Sequence, residues 1–132
     1  MSKILIIVLI LLVLVVGVIW KTRQPNAKTG SYEKITAEAA FSMMQEQQDL
    51  VIVDVRTPGE YADGHIQGAI NVPLQSIEAG DLSLIPDTEQ TLLVYCRSGS
   101  RSATASKALA RQGYTAVYDF GGIINWPYGT VR

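Results

Sequence analysis

The chain has a single cysteine, and it heads the run Cys96-Arg97-Ser98-Gly99-Ser100-Arg101. A cysteine acts as a nucleophile through its thiolate, and thiolates form where cations and backbone N–H groups converge on the sulfur. This run supplies both. Gly99 permits a positive φ, Ser98 and Ser100 are small enough to keep a ring of backbone tight, and Arg97 and Arg101 place two cations within five residues of the sulfur. A structural cysteine buried as a small hydrophobe has no use for such surroundings. The expected chemistry is therefore nucleophilic attack by a Cys96 that is largely thiolate at neutral pH, with Arg97, Ser98, Gly99, Ser100 and Arg101 binding an anionic substrate.

Two elements must hold that run in place. Leu92-Leu93-Val94-Tyr95 reads as a buried strand, being short, apolar and uncharged. The Ala-rich stretch from Ser102, with Ala105, Ala108 and Leu109 on one face, reads as a helix running to about Gln112, with Gly113 just past its end. The cysteine thus sits at a strand-to-helix turn, where unpaired N–H groups of the first helical turn favour negative charge.

The rest of the chain supplies further strands and helices in alternation. Tyr32 to Ile35 suits a short edge strand, and Thr36 suits the N-cap of a helix through Met44, with Ala40, Phe41 and Met44 on one face. The two methionines of that helix read as core filler. Leu50 to Val55 is a continuous β-branched run, as in a central strand of a parallel sheet. Ala69 to Val72 is a strand stopped by Pro73, Leu74 to Glu78 is a short helix ended by Gly80, and Asp81 to Gln90 is a loop. Ala116 to Phe120 is the last strand, and Gly121 to Trp126 a short helix whose Trp plugs the core. Such alternation implies a parallel sheet with helices on both faces.

The Cys96 loop resembles the active-site loop of the rhodanese (thiosulfate sulfurtransferase) family, in the form Cys-x-x-Gly-x-Arg. Asp54-Val55-Arg56 with Glu60-Tyr61, Gly64-His65-Ile66, Gly68-Ala69, Asn71-Val72-Pro73 and Gly121-Gly122 with Trp126 follow the family pattern in the same order, across roughly Tyr32 to Trp126. The resemblance implies an α/β fold with a five-stranded, mainly parallel sheet. It also implies a sulfurtransferase in which Cys96 takes the outer sulfur of thiosulfate or a related persulfide donor and passes it, as a persulfide, to a thiol or cyanide. No cofactor or metal is implied. By the same resemblance Asp54 and Arg56 are architectural, with an Arg56–Glu60 ion pair across the Thr57-Pro58-Gly59 turn, and His65 lies in a structural loop.

Two other readings compete. Cysteine phosphatases and arsenate reductases use a similar turn as Cys-(x)5-Arg, but only four residues separate Cys96 from Arg101, a smaller ring than a transferring phosphoryl group needs. A catalytically idle binding module on the same fold is the alternative from another class, since fold alone does not carry function.

Outside this region, every residue from Ile4 to Trp20 is apolar or Gly, a helical length of about 25 Å, followed by an interfacial Trp20-Lys21 pair. The run exceeds a signal peptide's apolar segment and no small-residue cleavage site follows it, so residues 1–20 are expected to be a retained transmembrane anchor. Residues 21–31 read as a polar linker and 32–132 as the domain. Residues 1–30 carry four Lys/Arg and no acid, while the remainder carries seven Lys/Arg against twelve Asp/Glu, leaving it at −5. An acidic domain without a basic stripe excludes nucleic acid as the expected partner. Three cations just beyond the apolar run against Lys3 before it predict a single-pass protein of the cell (inner) membrane with a cytoplasmic domain; the two-residue head before Lys3 would also allow the periplasmic orientation. One histidine and one cysteine exclude a conventional zinc site, and one cysteine excludes an internal disulfide.

Overall fold

The two strands with unbroken apolar runs, β2 (Leu50–Asp54) and β4 (Thr91–Cys96), lie side by side at the centre of the sheet in a computed structural model that describes residues 2–22 and 29–132. Both faces of these strands are covered, which is why neither shows the alternation of a half-exposed strand: Leu92, Leu93, Val94, Tyr95 and Val53 have no accessible surface. The outer strands are β1 (Tyr32–Lys34), β3 (Ile70–Asn71) and β5 (Val117–Gly122), giving the order β1-β5-β4-β2-β3 with every pairing parallel.

On one face, Ile77 of α4 (Leu74–Glu78) and Ala105 and Leu109 of α5 (Ser100–Arg111) pack with Val53, Val94 and Val117. On the other, Ala40, Met43 and Met44 of α2 (Ala37–Glu46) pack with Ile52, Leu93, Tyr95 and Phe120. Thr36 caps α2 as its type requires, accepting a hydrogen bond from the Ala39 N–H at 3.0 Å. The fold is the expected α/β architecture with helices on both faces.

Three local expectations are revised. The Thr57-Pro58-Gly59 turn opens a helix, α3 (Pro58–Asp63), through a capping box in which Thr57 and Glu60 bond each other's backbone N–H; the Thr-x-x-Glu spacing with Pro at the first helical position carried that signal. Strand β5 continues through Gly122, and only Ile123–Asn125 forms a 3-10 turn. The β4–β5 register slips between Val94↔Asp119 and Cys96↔Gly122, a bulge that brings the glycine pair beside the cysteine. Trp126 is half-buried rather than a plug: its ring meets those of Phe41, Phe120 and Tyr128, and its N–H donates to the Gly129 carbonyl at 3.1 Å.

Helix α1 (Ser2–Thr22) spans the apolar run, and its large side chains from Ile4 to Ile19 are exposed. It is long and apolar enough to cross a membrane or to serve as a signal sequence. The expected linker falls largely on residues 23–28, outside the described residues.

Candidate active site

Cys96 is the last residue of β4, and the chain turns so sharply after it that Gly99 takes φ +103° before α5 begins at Ser100. That turn folds the Gly99 N–H back onto the sulfur, donating to Sγ at 3.0 Å. Gly99 occupies the N-cap of α5 without a side-chain cap, and no acid stands in the first turn. No capping side chain therefore claims the first-turn N–H groups beside the cysteine. Arg97, Ser98 and Ser100 are exposed on the outer rim of the turn, while Cys96 itself has no accessible surface.

The bulged glycine pair forms the floor. The Ile124 N–H donates to the Arg97 carbonyl at 3.2 Å, and the Ser102 hydroxyl bonds the carbonyls of Gly99 and Gly121 at 3.1 and 3.4 Å. Asp119, buried on β5, holds the bulge by accepting from the Gly121 N–H at 3.0 Å. A Cβ on Gly122 would stand 2.2 Å from the Arg97 carbonyl oxygen and 2.7 Å from the Ser98 Cα, both backbone. Gly122→Ala should thus displace the loop, lowering stability by about 1–3 kcal/mol in chemical denaturation and changing the reactivity of Cys96 towards alkylation.

Arg101 does not stand free beside the sulfur. Its guanidinium grips Glu60 of α3 with two bonds, Nη1–Oε2 at 2.7 Å and Nη2–Oε1 at 2.9 Å, both side chains about one-third exposed. The hydrogen bonds to Glu60 outweigh the partial burial of the guanidinium and raise the Arg101 pKa. This corrects the Arg56–Glu60 pair expected from the sequence: Arg56 instead binds Asp54, two residues before it, through Nη2–Oδ2 at 2.7 Å and Nε to both oxygens.

The Glu60–Arg101 clamp has a pH signature. Hydrogen bonding to Arg101 holds the Glu60 carboxyl down to about 2, against 4.5 for the free group. A depressed carboxylate stabilises the fold fully above its unfolded pKa and loses that contribution as pH falls through the folded one. The stability difference between wild type and Glu60→Gln should accordingly be constant above about pH 5 and shrink from there towards pH 2. Denaturation curves for both chains across that window provide the check.

Asp54, Arg56 and His65 serve the frame. Burial opposes the Arg56 charge, but the hydrogen bonds and charge of Asp54 outweigh it and leave its pKa raised. Arg56 Nη2 also donates to the Gly64 carbonyl at 2.7 Å, and its guanidinium lies over the Tyr95 ring. Burial, reinforced by Asp54, pushes the Tyr95 hydroxyl up, and that hydroxyl accepts from the Ile66 N–H. His65 stacks on Tyr61 at 3.8 Å, and its Nδ1 lies 2.9 Å from the Tyr61 carbonyl. The structure therefore brings Cys96, Arg97, Ser98, Gly99, Ser100 and Arg101 into one loop, gives Glu60 Arg101 rather than Arg56 as its partner, and adds Asp119 and Gly122 as supports.

The family model of the rhodanese-like domain matches residues 36–127. A relative from Escherichia coli, thiosulfate sulfurtransferase PspE, is 41% identical over 71 residues, covering 54% of this chain and 68% of its own. A protein called sulfurtransferase from Allochromatium vinosum is 38% identical over 94 residues, covering 70% of this chain and 86% of its own. Among solved structures, SSP1007 from Staphylococcus saprophyticus superposes with a TM-score of 0.67 at 32% identity, covering 76% of this chain and 99% of that one.

Proposed function

We propose, from the premise that this chain belongs to the rhodanese-like domain family, that its sulfurtransferase activity runs through a persulfide on Cys96. The chain is a sulfurtransferase of the thiosulfate type, as its relatives' names indicate, and the observation that carries the site is a lone cysteine at the uncapped start of α5 with a loop N–H on its sulfur. The Cys96 thiolate attacks the outer sulfur of thiosulfate, a new S–S bond forms, the old one breaks, and sulfite leaves with the bonding electron pair. The N–H groups of the turn, with Arg97 and Arg101, hold the anionic donor and then the charge on the terminal sulfur. A thiol or cyanide attacks that sulfur in turn, and Cys96 leaves as thiolate.

We read α1 as a single-pass anchor in the cell membrane and the three cations among residues 21–28 as favouring a cytoplasmic domain. A reducing compartment would supply thiols as sulfur acceptors. The full chain mixed with thiosulfate should release thiocyanate only when cyanide is added; absence of thiocyanate from folded protein would leave the idle binding module as the better reading.

A further inference from the structure

We infer that the catalytic loop faces away from the membrane, so that both sulfur donor and sulfur acceptor are water-soluble molecules arriving from the aqueous phase, on whichever side the domain stands. This rests on the anchor reading above. Because every strand pair is parallel, one pole of the domain collects the C-terminal ends of the strands and the opposite pole their N-terminal ends. Cys96 ends β4 at the first pole. The segment from the anchor enters at the second, where Thr29-Gly30-Ser31 lead into Tyr32 of β1.

That entry is fixed to the domain. The Gly30 N–H donates to the Ala110 carbonyl at 3.0 Å, in the last turn of α5, and the Ser31 hydroxyl donates to the Thr115 carbonyl at 3.2 Å. Gly30 is pressed so closely against Tyr114 that a Cβ would stand 1.9 Å from its carbonyl oxygen. Helix α5 therefore measures the distance between loop and entry: the loop meets its first residue, Ser100, and the entry meets Ala110, ten residues or about 15 Å further on.

The connection favours this orientation. From Thr22, the end of α1, to Thr29 there are seven Cα–Cα steps, which reach at most about 25 Å. Inverting the domain would use about 15 Å of that along α5, leaving about 10 Å for the turn at the bilayer and any sideways offset. Nothing at the loop pole offsets such a stretch. Around the cysteine its exposed side chains are Arg97, Ser98 and Ser100 beside the apolar Ile124, a mixed surface rather than a membrane-binding face. At the entry pole the exposed cations Lys107 and Arg111 are matched by Asp49, Asp87 and Glu89, so the domain is not drawn flat onto anionic headgroups either.

The test uses the full chain in phospholipid vesicles carrying energy-transfer acceptors on their headgroups. In a Cys96→Ser background, one donor dye is attached at Ser31→Cys and, in a second protein, at Ser100→Cys, both checked for native circular dichroism. Transfer from position 31 is expected to exceed that from position 100 several-fold. Equal or stronger transfer from position 100 would overturn the inference while leaving the anchor intact. Release of the chain from the vesicles by alkaline carbonate would instead overturn the anchor reading, and the inference with it.

Discussion

Cys96→Ser is expected to abolish sulfur transfer, by at least about a thousandfold in kcat/KM, while leaving the fold unchanged. Serine is nearly isosteric and its hydroxyl can accept the Gly99 N–H that now bonds Sγ, so the turn keeps its geometry. The hydroxyl stays protonated at neutral pH and cannot store sulfur as a persulfide. Native circular dichroism with no thiocyanate release is the expected pair of results. Turnover near wild type would show that another group carries the sulfur.

Arg101→Ala should be the next most damaging change at the loop, because it removes a cation and exposes its partner. With Arg101 gone, the Glu60 carboxylate is left without its two bonds at 2.7 and 2.9 Å, beside a site that must accept an anion. A lost charge-assisted hydrogen bond of about 1.5–3 kcal/mol corresponds to about 10- to 160-fold in kcat/KM for thiosulfate. A neutral persulfide donor should lose less. Adding Glu60→Gln should restore part of the thiosulfate rate by removing the uncompensated carboxylate. Equal losses for charged and neutral donors, with no recovery in the double variant, would assign Arg101 to structure alone.

Much of this site was legible in the sequence because its parts are local. Cys96, Gly99 and the start of α5 lie within one turn of chain, and the apolar run before them together with the Ala-rich run after them dictates strand and helix without distant information. The partners of the arginines were not legible in the same way. An Arg56–Glu60 pair is plausible from spacing alone, yet Arg56 is committed to the buried Asp54 two residues before it, and Glu60 finds Arg101 across 41 positions of sequence. Only the sheet order, which brings the end of β2 beside the end of β4, creates that contact.

The extension of β5 was hidden for a related reason. Gly121 and Gly122 read as the start of a short helix, but they continue β5, and the backbone of the Cys96 turn occupies the space where a side chain on Gly122 would go. Asp119 gave no sequence signal at all; its role appears once the bulge places the Gly121 N–H within 3.0 Å of its carboxylate. Trp126 read as core from its type, yet its indole N–H needs an acceptor and finds the Gly129 carbonyl near the surface, which keeps the ring half-exposed.

The most direct measurement is the mass of the intact chain after incubation with thiosulfate in the absence of any acceptor. A gain of one sulfur atom, mapped by peptide analysis to Cys96 and lost on addition of cyanide with matching thiocyanate release, is the expected result. A chain that turns over thiosulfate without gaining sulfur, or that carries it on any residue other than Cys96, would contradict a Cys96 persulfide as the intermediate.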